Sequence, residues 1–172
     1  ERGGAGGAQE GEHRVDGVLY ATWYHHQVEL APELERFPLA LVDCFSDSST
    51  VPAVVPDEYR AGYEATREML DHGHRRIGFV NNTDDVPATS GRLAGYQQAL
   101  ADMGVPFAPD LVATDVSETL GGYRTALRLL NQPQRPTAIF SYNDRMAMGI
   151  YRAARELGLD IPRDLSIISI DN

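Results

Sequence analysis

The chain has 172 residues, with 15 Lys+Arg against 25 Asp+Glu and a formal net charge of -10. So acidic a chain does not grip nucleic acid through its own surface, because neutralising several phosphates takes clustered cations. Its 42% hydrophobic residues can build a core for one large or two small domains, and no run approaches the roughly 18 apolar residues of a membrane helix, so a soluble protein is expected.

Residues 1–14 carry five Gly and almost no apolar side chain, and read as a flexible segment. No strand precedes this glycine cluster and no Gly-Lys-Ser/Thr follows it, so a phosphate cradle is not indicated. From Val15 onward, short apolar runs alternate with segments of helical period. Val18–Ala21 is the first expected strand, followed by Trp23, Tyr24, His25 and His26. Leu39–Val42 is the second. Cys44, just beyond it, is the sole cysteine, which excludes an intrachain disulfide or a multi-cysteine metal site and suits a reducing, cytoplasmic setting.

After Pro56 and a possible N-cap at Asp57, the residues Tyr59, Gly62, Tyr63, Thr66, Met69 and Leu70 recur at offsets of three and four, up to a stop at Gly73. Strand Ile77–Val80 follows, then a helix through Leu93, Tyr96, Leu100 and Met103, a short strand at Leu111–Ala113, and a helix through Leu120, Tyr123, Leu127 and Leu130. Strand Ala138–Phe140, a helix through Met146, Ile150, Ala154 and Leu157, and strand Leu165–Ile170 complete the chain. Strands alternating with helices across short connections predict an α/β fold with a parallel sheet.

In such sheets ligands bind beyond the carboxyl ends of the strands. The residues there are Asn81 and Asn82, then Ser141, Tyr142, Asn143 and Asp144, then Asp171 and Asn172. Amides and carboxylates of this kind suit a hydroxyl-rich ligand such as a sugar or nucleoside. Asp57 and Asn143 also precede helices, and capping alone accounts for their residue types.

DEYRAGYEATREMLDHGHRRIGFV from Asp57 to Val80 closely resembles the helix, Gly-His turn and strand of bacterial regulators of the lactose-repressor/galactose-repressor (LacI/GalR) family. The similarity continues through Arg92–Tyr96 (RLAGY), Pro136–Gly158 (PTAIFSYNDRMAMGIYRAARELG) and Ile161–Asn172 (IPRDLSIISIDN). Upstream, Val15–Leu19 and Phe37–Asp43 resemble the family's strands before its first crossover, so the likeness runs in order from residue 15 to 172.

The resemblance implies a periplasmic-binding-protein-like effector domain, with two doubly wound parallel-sheet subdomains joined by crossing strands. Residues 15–74 would be part of the N-terminal subdomain and residues 75–172 the C-terminal one, with the crossover near Gly73 to Ile77. It implies effector-binding roles for Arg92, Asn143, Asp171 and Asp57; Trp23 and Tyr142, which stand just after expected strands, are further candidate contacts. It also implies a homodimer that reaches operator DNA through a helix-turn-helix not contained in these residues, and no cofactor. Many relatives place a ligand-stacking aromatic in the region of Asp115 to Glu118; here Val116 and Ser117 stand there, so the effector's identity stays open.

His25, His26, His72 and His74 lack further ligands at zinc spacing, and His74 in the Gly-His turn reads as structural. Ser141 lacks a nucleophile elbow, and no cofactor loop or catalytic set is present, so an enzyme is not expected. The expected function is the ligand-sensing and dimerising module of a transcription regulator. The alternative is an extracytoplasmic sugar-binding protein of a transporter.

Overall fold

The computed structural model describes residues 15–48 and 50–170. The glycine-rich residues 1–14 and Asp171 therefore lie outside the described residues. The chain divides into two compact units, one up to Val55 and one from Pro56 onward.

Unit 1 is a three-stranded parallel sheet in the order β1 (Val18–Gln27), β2 (Leu39–Phe45), β3 (Ala53–Val54). Leu39, Leu41 and Cys44 are its buried residues, with Val18, Tyr20, Val28, Leu30, Leu34 and Val51 packed around them. Strand β1 runs past the expected end at Ala21 because its register slips between Ala21 and His26. Opposite the slip, Asp43 adopts a left-handed φ of 58° and its carbonyl accepts a 2.8 Å bond from the Thr22 hydroxyl. Side chains at that point are turned out of the sheet's alternation, and Trp23 is 98% exposed.

Unit 2 holds α1 (Glu58–Asp71), β4 (Ile77–Asn82), α2 (Pro87–Asp102), β5 (Val112–Asp115), α3 (Thr119–Leu130), β6 (Ala138–Ser141), α4 (Asp144–Glu156) and β7 (Ser166–Ser169). Its four strands are parallel in the order β5-β4-β6-β7. Alternate strand residues face opposite sides. Phe79 and Phe140 stack at 4.5 Å beneath Met69, Leu70, Tyr96 and Leu100 of α1 and α2, while Val80 and Ile139 pack with Leu129, Met146 and Ile150 of α3 and α4. Helices thus cover both faces, and the buried Tyr96 hydroxyl is satisfied by donating to the Ile77 carbonyl at 2.8 Å.

Helix α1 groups with unit 2, whereas the resemblance placed residues up to 74 in the preceding part. The cause is the seam between α1 and α2. A Cβ at Gly62 would stand 2.3 Å from the Arg92 carbonyl oxygen, and one at Gly95 would stand 2.1 Å from that of Tyr59, so bare backbone meets bare backbone from both sides. Helices α3 and α4 repeat the arrangement through Gly122 and Gly149.

Candidate functional site

The strand order of unit 2 reverses direction between β4 and β6: the chain moves from β4 outward to β5, then returns past β4 to β6 and on to β7. A crevice opens beyond the strands at such a reversal. The residues leaving β4 and β6 are Asn81, Asn82, Tyr142 and Asn143, all buried.

At β4 the amides are engaged in building the turn into α2. Asn81 donates its side-chain N–H to the Thr89 carbonyl at 3.1 Å, and Asn82 donates to the Asp84 carboxylate at 3.2 Å. At β6 the Ser141 hydroxyl donates to the Asn143 carbonyl at 2.8 Å. Asn143 caps α4 by accepting the Met146 N–H at 2.8 Å and donates its own amide N–H to the Ser117 carbonyl at 3.3 Å. Asp57 caps α1, accepting the Arg60 N–H at 2.9 Å, and is exposed. Capping, one of the two readings open for Asp57 and Asn143, is thus realised at both.

Arg92, on α2, reaches the residue that follows β6. Its Nε–H donates to Glu58 Oε2 at 2.8 Å, its Nη1 donates to the Tyr142 carbonyl, and its guanidinium carbon sits 4.6 Å from the centre of the Tyr142 ring. The Arg92 side chain is 12% exposed and that of Glu58 7%. These partners use two of the five guanidinium N–H groups, and no other described hydrogen bond uses the rest. Nearby, the hydroxyls of Thr89, on the first turn of α2, and Ser169, at the end of β7, are buried without a protein partner among the described residues.

Val116 and Ser117 follow β5. The Val116 side chain is 47% exposed, and Asp115 beside it is gripped by Arg124 at 2.5 and 2.7 Å. That hydrogen-bonded guanidinium holds the Asp115 carboxyl below its ordinary range, with the Val116 N–H assisting against the opposing cost of burial.

Glu58 escaped the sequence reading, which singled out its neighbour Asp57. The signal was present: Glu58, Gly62, Thr66 and Met69 recur at offsets of four, four and three on the buried stripe of α1, so a carboxylate there needs an internal partner. Thr89 and Ser169 carried no sequence signal, since nothing marks which hydroxyls lack partners.

The structure brings Arg92, Tyr142 and Asn143 together around the switch between β4 and β6. Trp23 belongs to unit 1. His74 lies at the other end of the sheet, where Nδ1 is 2.9 Å from the Thr137 hydroxyl and Nε2 is 3.1 Å from that of Ser166. It borders a groove of about 580 Å³ lined by Met69, His72, Ile161, Pro162 and Ile168. Among the described residues no three His, Cys, Asp or Glu side chains gather as metal ligands, and no helix is long and apolar enough to cross a membrane.

The model of a family described as periplasmic binding proteins and sugar binding domain of LacI family matches residues 9–171. The HTH-type transcriptional repressor PurR of Klebsiella pneumoniae is 33% identical over 162 residues, which cover 92% of this chain and 48% of that protein. The chain thus spans about half the length of the curated relatives it matches. A crystal structure assigned to a LacI-family transcriptional regulator of Rhizobium etli superposes with a TM-score of 0.79 at 34% identity, covering 93% of this chain and 59% of that one. A LacI-family regulatory protein from Chloroflexus aggregans gives 0.78 at 28% identity, covering 92% and 57%.

Proposed function

Because the chain belongs to the family of periplasmic binding proteins and LacI-type sugar-binding domains, we propose that it is the effector-sensing part of a transcriptional regulator and that unit 2 carries effector-binding residues. The observation that carries this reading is Arg92, fixed on Tyr142 at the strand-order reversal with N–H groups still available to a ligand. Hydroxyls of a sugar or nucleoside would accept from Arg92 and meet the orphaned Thr89 and Ser169 hydroxyls. Asn143, Asp57 and Asp171 are proposed as further polar contacts; Trp23, considered within unit 1 alone, is proposed as a ring on which a sugar face can stack.

The relatives are transcriptional regulators, which favours this reading over a transporter's solute-binding protein and over an enzyme. Homodimerisation and operator binding are proposed for the whole regulator, of which these residues correspond to about half. The effector would act by binding one conformation of that regulator more tightly than another.

The test is a thermal-shift screen of neutral sugars and nucleosides on the chain and on Arg92→Ala and Asp171→Ala. A bound ligand stabilises the folded state by mass action, so the chain's Tm should rise by a few degrees with the correct ligand. Both variants should lose that rise; a rise retained in both removes the assigned site.

A further inference from the structure

We propose that Glu58 is the specificity-determining residue of this site: by neutralising and orienting Arg92 it makes the site accept a neutral, hydroxyl-bearing ligand and reject carboxylate and phosphate groups. The inference rests on the effector-binding reading above and narrows its ligand class.

A guanidinium alone is an excellent anion receptor, because its fork matches the two oxygens of a carboxylate or phosphate. Here part of that fork is already committed, and its charge is already answered. Glu58 takes Nε at 2.8 Å, the Tyr142 carbonyl takes Nη1, and the Tyr142 ring covers one face. Both side chains of the ion pair are nearly closed off from solvent, so salt and water screen their attraction weakly. An incoming anion would have to displace Glu58 or lie against its negative charge, and either is unfavourable.

Among the described residues at these strand ends and helix starts, the neighbouring cations are already matched. Arg124 is matched by Asp115, and Arg145 by Glu118 at 2.9 Å. Asn82 and Asn143 are neutral, as are the orphaned Thr89 and Ser169 hydroxyls, while Asp57, Asp84, Asp85 and Asp144 add negative charge at the same strand-end and helix-start segments. The N-termini of α1 and α4 pull the other way, since helix starts favour anions. At those two helices the pull is already answered within the chain, since Asp57 and Asn143 each take a first-turn N–H; the start of α2 has no side-chain cap, so there the charge of Glu58 is what opposes an anion.

A neutral hydroxyl meets none of these penalties. It donates or accepts as required, accepts from the remaining Arg92 N–H groups without facing charge repulsion, and leaves the Glu58–Arg92 pair intact.

The experiment is isothermal titration calorimetry at low salt with inorganic phosphate as the probe, on the chain, Arg92→Ala, Glu58→Gln and the double variant Glu58→Gln/Arg92→Ala. The unaltered chain should show no phosphate binding that depends on Arg92. Glu58→Gln keeps the shape and one acceptor but removes the charge, so phosphate affinity should rise at least about tenfold. The double variant should lose that gain.

Arg92-dependent phosphate binding by the unaltered chain overturns the proposal, and so does a folded Glu58→Gln that gains nothing. If Glu58→Gln does not fold, the comparison of the unaltered chain with Arg92→Ala decides alone. These readings concern Glu58 and charge. Failure of the effector reading shows separately, as neutral sugars and nucleosides that leave the Tm unmoved.

Discussion

His74 bridges the Thr137 and Ser166 hydroxyls at the starts of β6 and β7. Burial, aided by the neighbouring His72, holds its imidazole below the ordinary histidine range. The folded state therefore favours the neutral ring: the contribution is complete above the unfolded value of about 6.5 and is lost as pH falls through the lower folded value. Urea midpoints at about pH 7.5 and 5.5 should fall more for the unaltered chain than for His74→Asn, which keeps a polar partner but no titrating ring. An equal fall in both would remove His74 as the source. That position was legible in the Gly-His turn. The role of Glu58 was not, because Asp57 and Glu58 are adjacent acids and only the three-dimensional register of α1 turns one outward as a cap and the other inward onto Arg92.

Helices α1 and α2 approach closely because Gly62 and Gly95 present backbone to backbone, and α3 and α4 do so through Gly122 and Gly149. A methyl at residue 62 would meet the carbonyl oxygen of Arg92 at 2.3 Å, and backbone atoms cannot step aside as a flexible side chain does. Gly62→Ala should therefore lower stability by about 2–3 kcal/mol in urea titration. Gly104→Ala meets nothing within 4 Å and should cost only about 1 kcal/mol, from its φ of 65°. Equal losses in the two variants would contradict the seam argument. Helical spacing made the existence of all four helices readable. The start of α2 was not, because Pro87 to Gly91 contains no apolar repeat and Val86 makes no side-chain cap. Strand β1 extends past its apolar run through the register slip, and the two-residue β3 is exposed at both positions, which leaves no alternating pattern to see.

The two units differ in what holds them. Unit 2 buries two clusters, one on each face of its sheet, whereas unit 1 buries only Leu39, Leu41 and Cys44 among its described residues. Local opening follows buried apolar contact, so amides of β4 and β6 should resist hydrogen exchange at least about a hundredfold longer than those of β1 and β2. Comparable protection across both sheets would show that unit 1 draws stability from contacts beyond its own core. The parallel α/β plan was readable because every strand of unit 2 except β5 is a compact apolar run flanked by helical spacing. The boundary at Val55 was not, since it depends on which neighbour α1 packs against. That packing also joins seam to site. A Cβ on Gly91 would press on the Cβ of Glu58 at 2.8 Å, and one on Gly62 would press on the Arg92 backbone. In the proposed regulator, a genetic selection for altered effector response should accordingly return changes at these glycines, whose close neighbours are Glu58 and the Arg92 backbone, alongside changes at the charged pair itself; such alleles would shift dose dependence and heat sensitivity together.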